Sequence, residues 1–359
     1  MKKILKPGIH WLFIFIPVSL VLENREASAP LIFFSAALSI VPIARLIGSS
    51  TEHLATYTGD AVGGLLNATF GNLPELIIAV VALKAGLHTM VLASLVGAIL
   101  ANLLLASGVS FLVGGLRYHN QDYNATSVRV YSSMMLIAVI SLTIPSGFHL
   151  LTSGQPVIES ENTLNLYLAG VLLVGYVLYL VFMIKTHADF FKSEGGGHDE
   201  HEDRWSVARA LITLVVASVL AAYMSEVLVG AAEETGEVLG MSSVFIGVVF
   251  LAIVGGAAES ISAVTMGYKN KMDLSLGIAL GSSIQIALFI APLLVILSTF
   301  IGPGQMNLTF PRPLIVAMFL AVILAAMVAG DGRSNWYKGV QMIIVYVIMG
   351  MMLYFIPAT

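Results

Sequence analysis

Glu75 and Glu259 each stand near the middle of a long apolar stretch. Each follows a small-residue or helix-interrupting run, Gly71-Asn72-Leu73-Pro74 and Gly255-Gly256-Ala257-Ala258. An ionised carboxylate at the centre of a bilayer is costly unless it is paired, protonated or hydrated, so such residues mark functional sites. Two carboxylates sharing one low-dielectric site cannot easily both stay ionised. One divalent cation, or about two protons, would neutralise the pair. Competition between those loads is the chemistry of an exchange carrier, because a loaded site can reorient through a dry intermediate while an empty dianion cannot.

The polar residues nearby in sequence are rich in oxygen: Asn67, Asn72 and Asn102 in the first half, and Ser260, Ser262, Ser282, Ser283 and Gln285 in the second. Residues three or four apart share a helix face, which sets Asn72 beside Glu75, Ser262 beside Glu259 and Ser282 beside Gln285. Calcium takes six to eight oxygens from carboxylates, carbonyls, amides and water, and this inventory suits it. With no cysteine in the chain, disulfides and thiolate metal ligands are both excluded. Small and hydroxylated residues also line packed transmembrane helices, and Ser283, Asn67 and Ser262 fit that duller role as well. Glu52, Asp60, Glu226, Glu233, Glu234 and Glu237 lie nearer helix ends, as interfacial residues or acidic vestibules.

The elements that must position these residues are membrane helices. Hydrophobic residues make up 58% of the 359 and charged ones 11%, with a mean hydropathy of +0.92. A helix crossing the hydrocarbon core needs about 20 apolar residues, and the runs are that long without the alternation of barrel strands. Eleven spans are expected: 9–22, 30–48, 56–84, 87–114, 126–145, 163–185, 206–231, 241–267, 272–300, 312–329 and 336–355. The first resembles a signal peptide in its basic Lys2, Lys3 and Lys6 and its Ala27-Ser28-Ala29 triplet, but Pro30 makes cleavage after that triplet poor, so it is read as a retained helix.

With the N-terminus in the cytosol, all of the 17 lysines and arginines except Arg25, Lys84 and Arg312 fall on or near the cytosolic side, leaving the C-terminus outside. The expected setting is a plasma membrane, as in a prokaryotic inner membrane. No cofactor and no nucleic acid are expected. The oligomeric state is open, a homo-oligomer included.

Glu259 lies 184 positions after Glu75, and the same offset brings Ala79-Val80 onto Ala263-Val264 and Gly97 onto Gly281. The chain is therefore expected to hold an extra N-terminal helix in 1–29, a five-helix repeat in 30–185, an acidic cytosolic linker in 186–205 and a second five-helix repeat in 206–359. An odd number of spans per unit inserts the second upside down, the plan in which substrate sits near the midplane where interrupted helices meet. Span 56–84 is about 43 Å long at 1.5 Å per residue, long enough to afford a break. Pro74 is expected to break it and free the Phe70 carbonyl, while Gly255 and Gly256 loosen the second repeat. Within the linker, Glu194, Asp199, Glu200, Glu202 and Asp203 form an acidic run, read either as a solvated connector or as a regulatory cation sensor.

Residues 63–78, Gly-Gly-Leu-Leu-Asn-Ala-Thr-Phe-Gly-Asn-Leu-Pro-Glu-Leu-Ile-Ile, resemble the first signature of the calcium/proton exchanger (CAX) family of the cation/calcium antiporter superfamily. Gly255 to Val264 and Gly281-Ser-Ser-Ile-Gln285 resemble its second-repeat counterparts. The resemblance spans nearly the whole chain. It implies an all-α fold of eleven transmembrane helices, in which Glu75 and Glu259 bind calcium alternately with protons while Asn72, Ser282 and Gln285 line the site. One departure stands out: where the family's second motif reads Gly-Asn-Ala-Ala-Glu-His, Gly256 replaces the asparagine and Ser260 the histidine.

Sodium coupling is the alternative within this class. A cation channel is a second, since carboxylate rings also select cations, but broken helices in inverted repeats argue against it. An enzyme is not expected: Asp60 has no convincing partner for an intramembrane aspartyl protease, and His-Glu-x-x-His is absent.

Overall fold

In a computed structural model, residues 8–152, 158–188 and 205–356 are described; side chains are not described at 59–62, 64, 65, 67 and 68. A short apolar helix α1 (Ile9–Asn24) leads into α2 (Ala29–Phe70), α3 (Leu73–Lys84), α4 (His88–Tyr118), α5 (Ala125–Leu151) and α6 (Ile158–Thr186). The second half comprises α7 (Val207–Leu239), α8 (Ser243–Gly255), α9 (Ala257–Tyr268), α10 (Met272–Leu297), α11 (Arg312–Ala329) and α12 (Trp336–Tyr354). The chain is a multi-pass helical membrane protein. Among the described residues, eight helices are long and apolar enough to cross a bilayer, or nine if α8 and α9 count as one bent span.

Spans 30–48 and 56–84 are expected as separate crossings, and helical turns continue from the first into the second along α2. A straight helix of that length would reach about 63 Å, twice the hydrocarbon core. It is not straight. A Cβ on Gly63 would lie 2.7 Å from the Ala55 carbonyl oxygen, whereas eight residues of straight helix advance about 12 Å. The chain therefore doubles back between Ala55 and Gly63.

Both expected interruptions are present, and one is displaced. The first lies at Gly71-Asn72, ahead of Pro74, which occupies the opening turn of α3 where a missing N–H costs little. The second is a bend of 61° between α8 and α9 at Gly256. Four π-helical turns, Ala101–Ala106, Phe182–Thr186, Ile246–Leu251 and Ile286–Ile290, add local irregularity of a kind that gathers at functional sites.

The buried apolar residues form two clusters. One joins Phe33, Ile40, Ile43 and Ile47 of α2 to Leu214, Met224 and Leu228 of α7 and to Ile246, Leu251 and Val254 of α8. The other fills the space among α4, α5, α6, α10, α11 and α12, with Leu95, Ile99, Leu103, Phe111, Met135, Leu142, Ile284, Leu294 and Met318 at its heart. Between them α4 and α8 cross in backbone contact: a Cβ on Gly97 would sit 2.2 Å from the Val248 carbonyl oxygen, and one on Gly247 2.7 Å from that of Met90. Only glycine permits so close a crossing.

Connections at the helix ends tie the two halves together. Strands β1 (Asn120–Asp122) and β2 (Arg333–Asn335) pair antiparallel, with Gln121 opposite Ser334. The Tyr123 hydroxyl donates to the Ala329 carbonyl at 3.0 Å. Partial burial works against charge on Asp331, yet Lys338 Nζ at 2.6 Å and Arg333 N at 3.2 Å hold its carboxyl below the usual range. At other ends, Lys84 pairs with Glu226 at 3.7 Å and His149 with Glu161 at 2.8 Å.

Candidate functional site

The local frame of the two glutamates is the same. Glu75 is the third residue of α3 after Asn72, and Glu259 the third residue of α9 after Gly256. A carboxylate in the first turn of a helix faces unsatisfied N–H groups and the positive end of the helix dipole. Neither preceding residue spends a side chain on capping its helix. Asn72 is thus left to reach elsewhere.

It reaches into the other half of the molecule. The amides of Asn72 and Gln285 hydrogen-bond to each other, and Ser282 lies between Asn72 and Glu259, its hydroxyl 2.5 Å from the Asn72 amide and hydrogen-bonded to Glu259 Oε2. A carboxylate has no hydrogen to offer, so the amide orientation that satisfies the network turns Asn72 Nδ2 toward Glu259, 2.9 Å from Oε2 and 3.1 Å from Oε1. Asn102, on the π-helical turn of α4, donates to Ser282 Oγ at 3.1 Å, and its carbonyl accepts from Ser107 Oγ at 2.9 Å. Asn72, Asn102, Ser282 and Gln285 are buried, and Glu259 is half-buried.

Glu75 has a barer setting. It is 8% exposed, and its Oε2 hydrogen-bonds no group among the described residues. Its side chain packs on the second interruption, where a Cβ on Gly255 would come 3.0 Å from Glu75 Cγ and one on Gly256 3.5 Å from Glu75 Oε1. Beside it is a cavity with about 10 Å³ of space for the centre of a water, lined also by Ser94, Ala98, Ala252 and Ile286. Room of that size holds roughly one water. The two carboxylates lie within Coulombic reach of each other.

All five residues picked from the sequence, Glu75, Glu259, Asn72, Ser282 and Gln285, therefore meet at one place, where four helical segments, α3, α4, α9 and α10, converge. Two carboxylates, two or three amides and a hydroxyl make an all-oxygen donor set for a hard cation. Sequence reasoning undervalued Asn102 and missed Tyr176, whose hydroxyl hydrogen-bonds Gln285 from α6 and whose ring stacks on Phe289 at 5.3 Å. No spacing rule signals a tyrosine from so distant a helix.

Other candidates stay apart. Ser283 turns back to the Ala279 carbonyl at 3.0 Å, the behaviour of a packing residue. Glu52, Glu226, Glu233, Glu234 and Glu237 are exposed. The side chains of Asp60 and Asn67, and the whole acidic run of Glu194, Asp199, Glu200, Glu202 and Asp203, lie outside the described residues. Among the described residues, no cluster of three or more histidines and carboxylates gathers as a fixed metal site.

The profile of the family described as "Sodium/calcium exchanger protein" matches residues 28–185 and again 209–355. The chain belongs to the sodium/calcium exchanger protein family. Within it, the chain is 41% identical over 337 residues to the Ca(2+)/H(+) antiporter ChaA of Bacillus subtilis (strain 168), covering 93% of this chain and 95% of that protein. It is 39% identical over 361 residues to the Ca(2+)/H(+) antiporter of Aphanothece halophytica, covering 96% of each. The solved structure of native YfkE matches with a TM-score of 0.81 and 39% identity, over 96% of this chain and 99% of that one. These exchanger-family relatives are transporters rather than enzymes, and the two stretches that match the family profile leave out α1 and the acidic segment between the halves.

Proposed function

We propose that this protein exchanges calcium for protons across a membrane by alternating access, at a midplane site built on Glu75 and Glu259, with Asn72, Ser282 and Gln285 as further ligands. The observation that carries the reading is the network joining Asn72 of one half to Ser282, Gln285 and Glu259 of the other, with the Glu75 carboxylate within reach. Such a set can hold calcium through carboxylate, amide and hydroxyl oxygens, or take up protons on the carboxylates when calcium leaves. The Ca(2+)/H(+) antiporters among the relatives support calcium and protons as the exchanged ions.

The arrangement we infer is eleven spans: α1, then five in 30–185 and five in 206–359, the two sets inverted about the site. Several features support it. The profile matches twice, once per half, both glutamates fall third in a helix after a break, and π-helical turns begin at Ala101 and Ile286, within one residue of the 184 offset. Pairing of β1 with β2 requires an even number of crossings between them, which the expected topology supplies; so does the Lys84–Glu226 contact. We place the N-terminus in the cytosol, the C-terminus outside and the protein in a prokaryotic inner membrane. Because α2 and α7 share one apolar cluster while α5, α6, α10, α11 and α12 share another, we take the α2–α7 pair as the body that shifts across the site.

The test is calcium uptake by purified protein in liposomes with each ion gradient set independently. An acidic lumen should drive calcium in, and collapsing the pH gradient should stop it. Uptake that ignores the pH gradient but follows an opposing sodium gradient would replace protons with sodium, and uptake that needs neither would make the protein a channel.

A further inference from the structure

Four side chains form a line that runs from the cation site out to α6. With Asn72 Nδ2 turned to Glu259, 2.9 Å from Oε2, the Asn72 oxygen faces Gln285. A carbonyl oxygen only accepts, so Gln285 must offer its nitrogen there and keep its own oxygen for the far end. At that far end is the hydroxyl of Tyr176. Each link then has one donor and one acceptor: Tyr176 O–H to Gln285, Gln285 N–H to Asn72, and Asn72 N–H to Glu259.

Calcium requires the opposite sense. A cation beside Glu259 takes only oxygen from Asn72, and an amide that turns over exchanges oxygen and nitrogen at unchanged positions. The Asn72 nitrogen would then meet the Gln285 nitrogen, and two N–H groups cannot bond, so Gln285 must turn with it. That turn brings a nitrogen to the outer end. The group closing the line there must therefore donate in one sense and accept in the other. A carboxylate or a lysine does only one of these, whereas a hydroxyl does both by rotating a single proton.

Tyr176 is held where this role needs it. It is 3% exposed, and its ring stacks on Phe289, four residues beyond Gln285 on α10, with centroids 5.3 Å apart and planes 25° from parallel. The Tyr179 ring follows at 6.4 Å. The stack fixes the hydroxyl oxygen beside Gln285 and leaves its proton free to turn.

We propose that Tyr176 is a positioning residue for ion exchange, whose hydroxyl closes the Gln285–Asn72 line in both senses. It donates when the amides set their N–H groups toward Glu259 and accepts when they turn their oxygens to calcium. The inference deepens the proposed function and rests on it. Neither amide turns alone, so Asn72 and Gln285 become calcium ligands together.

The experiment records Raman spectra of the purified protein in detergent at one pH, with saturating calcium and with chelator, for the parent, Tyr176→Phe and Gln285→Leu. The intensity ratio of the tyrosine doublet separates a donating from an accepting phenol. The calcium-minus-chelator difference in the parent should contain a tyrosine component that is absent from Tyr176→Phe and from Gln285→Leu. Identical differences in the parent and Tyr176→Phe overturn the proposal. If Tyr176→Phe does not fold, the comparison with Gln285→Leu decides in the same way.

Transport gives a second reading. Without its anchor Gln285 can relax when the site holds no calcium but must stay in line to bind it, so the lost bond falls on the calcium-bound state. Tyr176→Phe should therefore raise the half-saturating calcium concentration for proton-driven uptake in liposomes by about fivefold, the scale of one neutral hydrogen bond. In a Gln285→Leu background the same substitution should change it by less than about twofold, because the two residues act as one unit. A full effect in that background means that Tyr176 does not act through Gln285, and overturns the proposal. The two levels separate cleanly: normal transport by Glu75→Gln sinks the paired-carboxylate site, whereas a site that needs Glu75 and binds calcium with no tyrosine component in the difference sinks only the role of Tyr176.

Discussion

Asn72 and Gln285 stand 213 positions apart in the chain, yet their side-chain amides hydrogen-bond to each other beside Glu259. Neither residue has a local reason to be there. Asn72 opens a helix without capping it, and Gln285 closes a stretch of α10 where the next residue begins a π-helical turn. A buried polar network is tolerated only when its members are satisfied, and this one is satisfied by residues from both halves. The contact makes the first interruption and the second half one unit.

That unit turns on its charges. Glu75→Gln and Glu259→Gln keep the shape of the side chain and remove the ability to balance a divalent cation, so each should abolish exchange while leaving a folded protein. Proton-driven calcium uptake in liposomes reads the first outcome, and a monodisperse gel-filtration profile in detergent the second. A variant of either kind that transports at the parental rate would mean that its carboxylate is not part of the site.

The neighbouring serines give a sharper contrast, because sequence alone could not separate them. Ser282 bonds Glu259 and Asn102, whereas Ser283 is spent on the Ala279 carbonyl of its own helix. Ser282→Ala removes a bond to a charged group, worth about 1.5–3 kcal/mol, and should cut calcium uptake at subsaturating concentration by about tenfold or more. Ser283→Ala should leave uptake within about twofold of the parent, since backbone carbonyls in a helix already have partners. Equal effects at both positions would dissolve the distinction.

How far the site could be read from the sequence depended on which physical rule each residue obeys. Glu75 and Glu259 were legible because charge in an apolar run is expensive, and the 184 offset paired them. The interruptions are legible too, although Pro74 sits in the first turn of α3 and the break precedes it. Hydropathy separates 30–48 from 56–84, and the chain does fold back there, between Ala55 and Gly63, with helical turns continuing through the reversal. Asn102 was named without a role, and Tyr176 was missed, because their parts depend on a π-helical turn and on the docking of α6, neither of which has a sequence period. Nor could the register alone show that Gly97 and its mate Gly281 differ, one jammed against Val248 and the other with open space around it.

That last difference is testable as packing. A side chain at 97 must force α4 and α8 apart, since its Cβ would lie 2.2 Å from the Val248 carbonyl oxygen and 2.5 Å from Val248 Cα, both backbone atoms that cannot swing away. Overpacking of this kind costs about 1–3 kcal/mol and more when backbone must move, so Gly97→Val should lower the thermal midpoint in detergent by several degrees and impair transport with it. Gly281→Ala meets nothing within 4 Å and replaces a helical glycine, so it should hold or slightly raise the midpoint, by up to about 1 kcal/mol of helix propensity. The α4–α8 crossing separates the two apolar clusters and carries the π-helical turns of both helices, so a loss of stability at Gly97 without loss of transport would show that the crossing is scaffold alone.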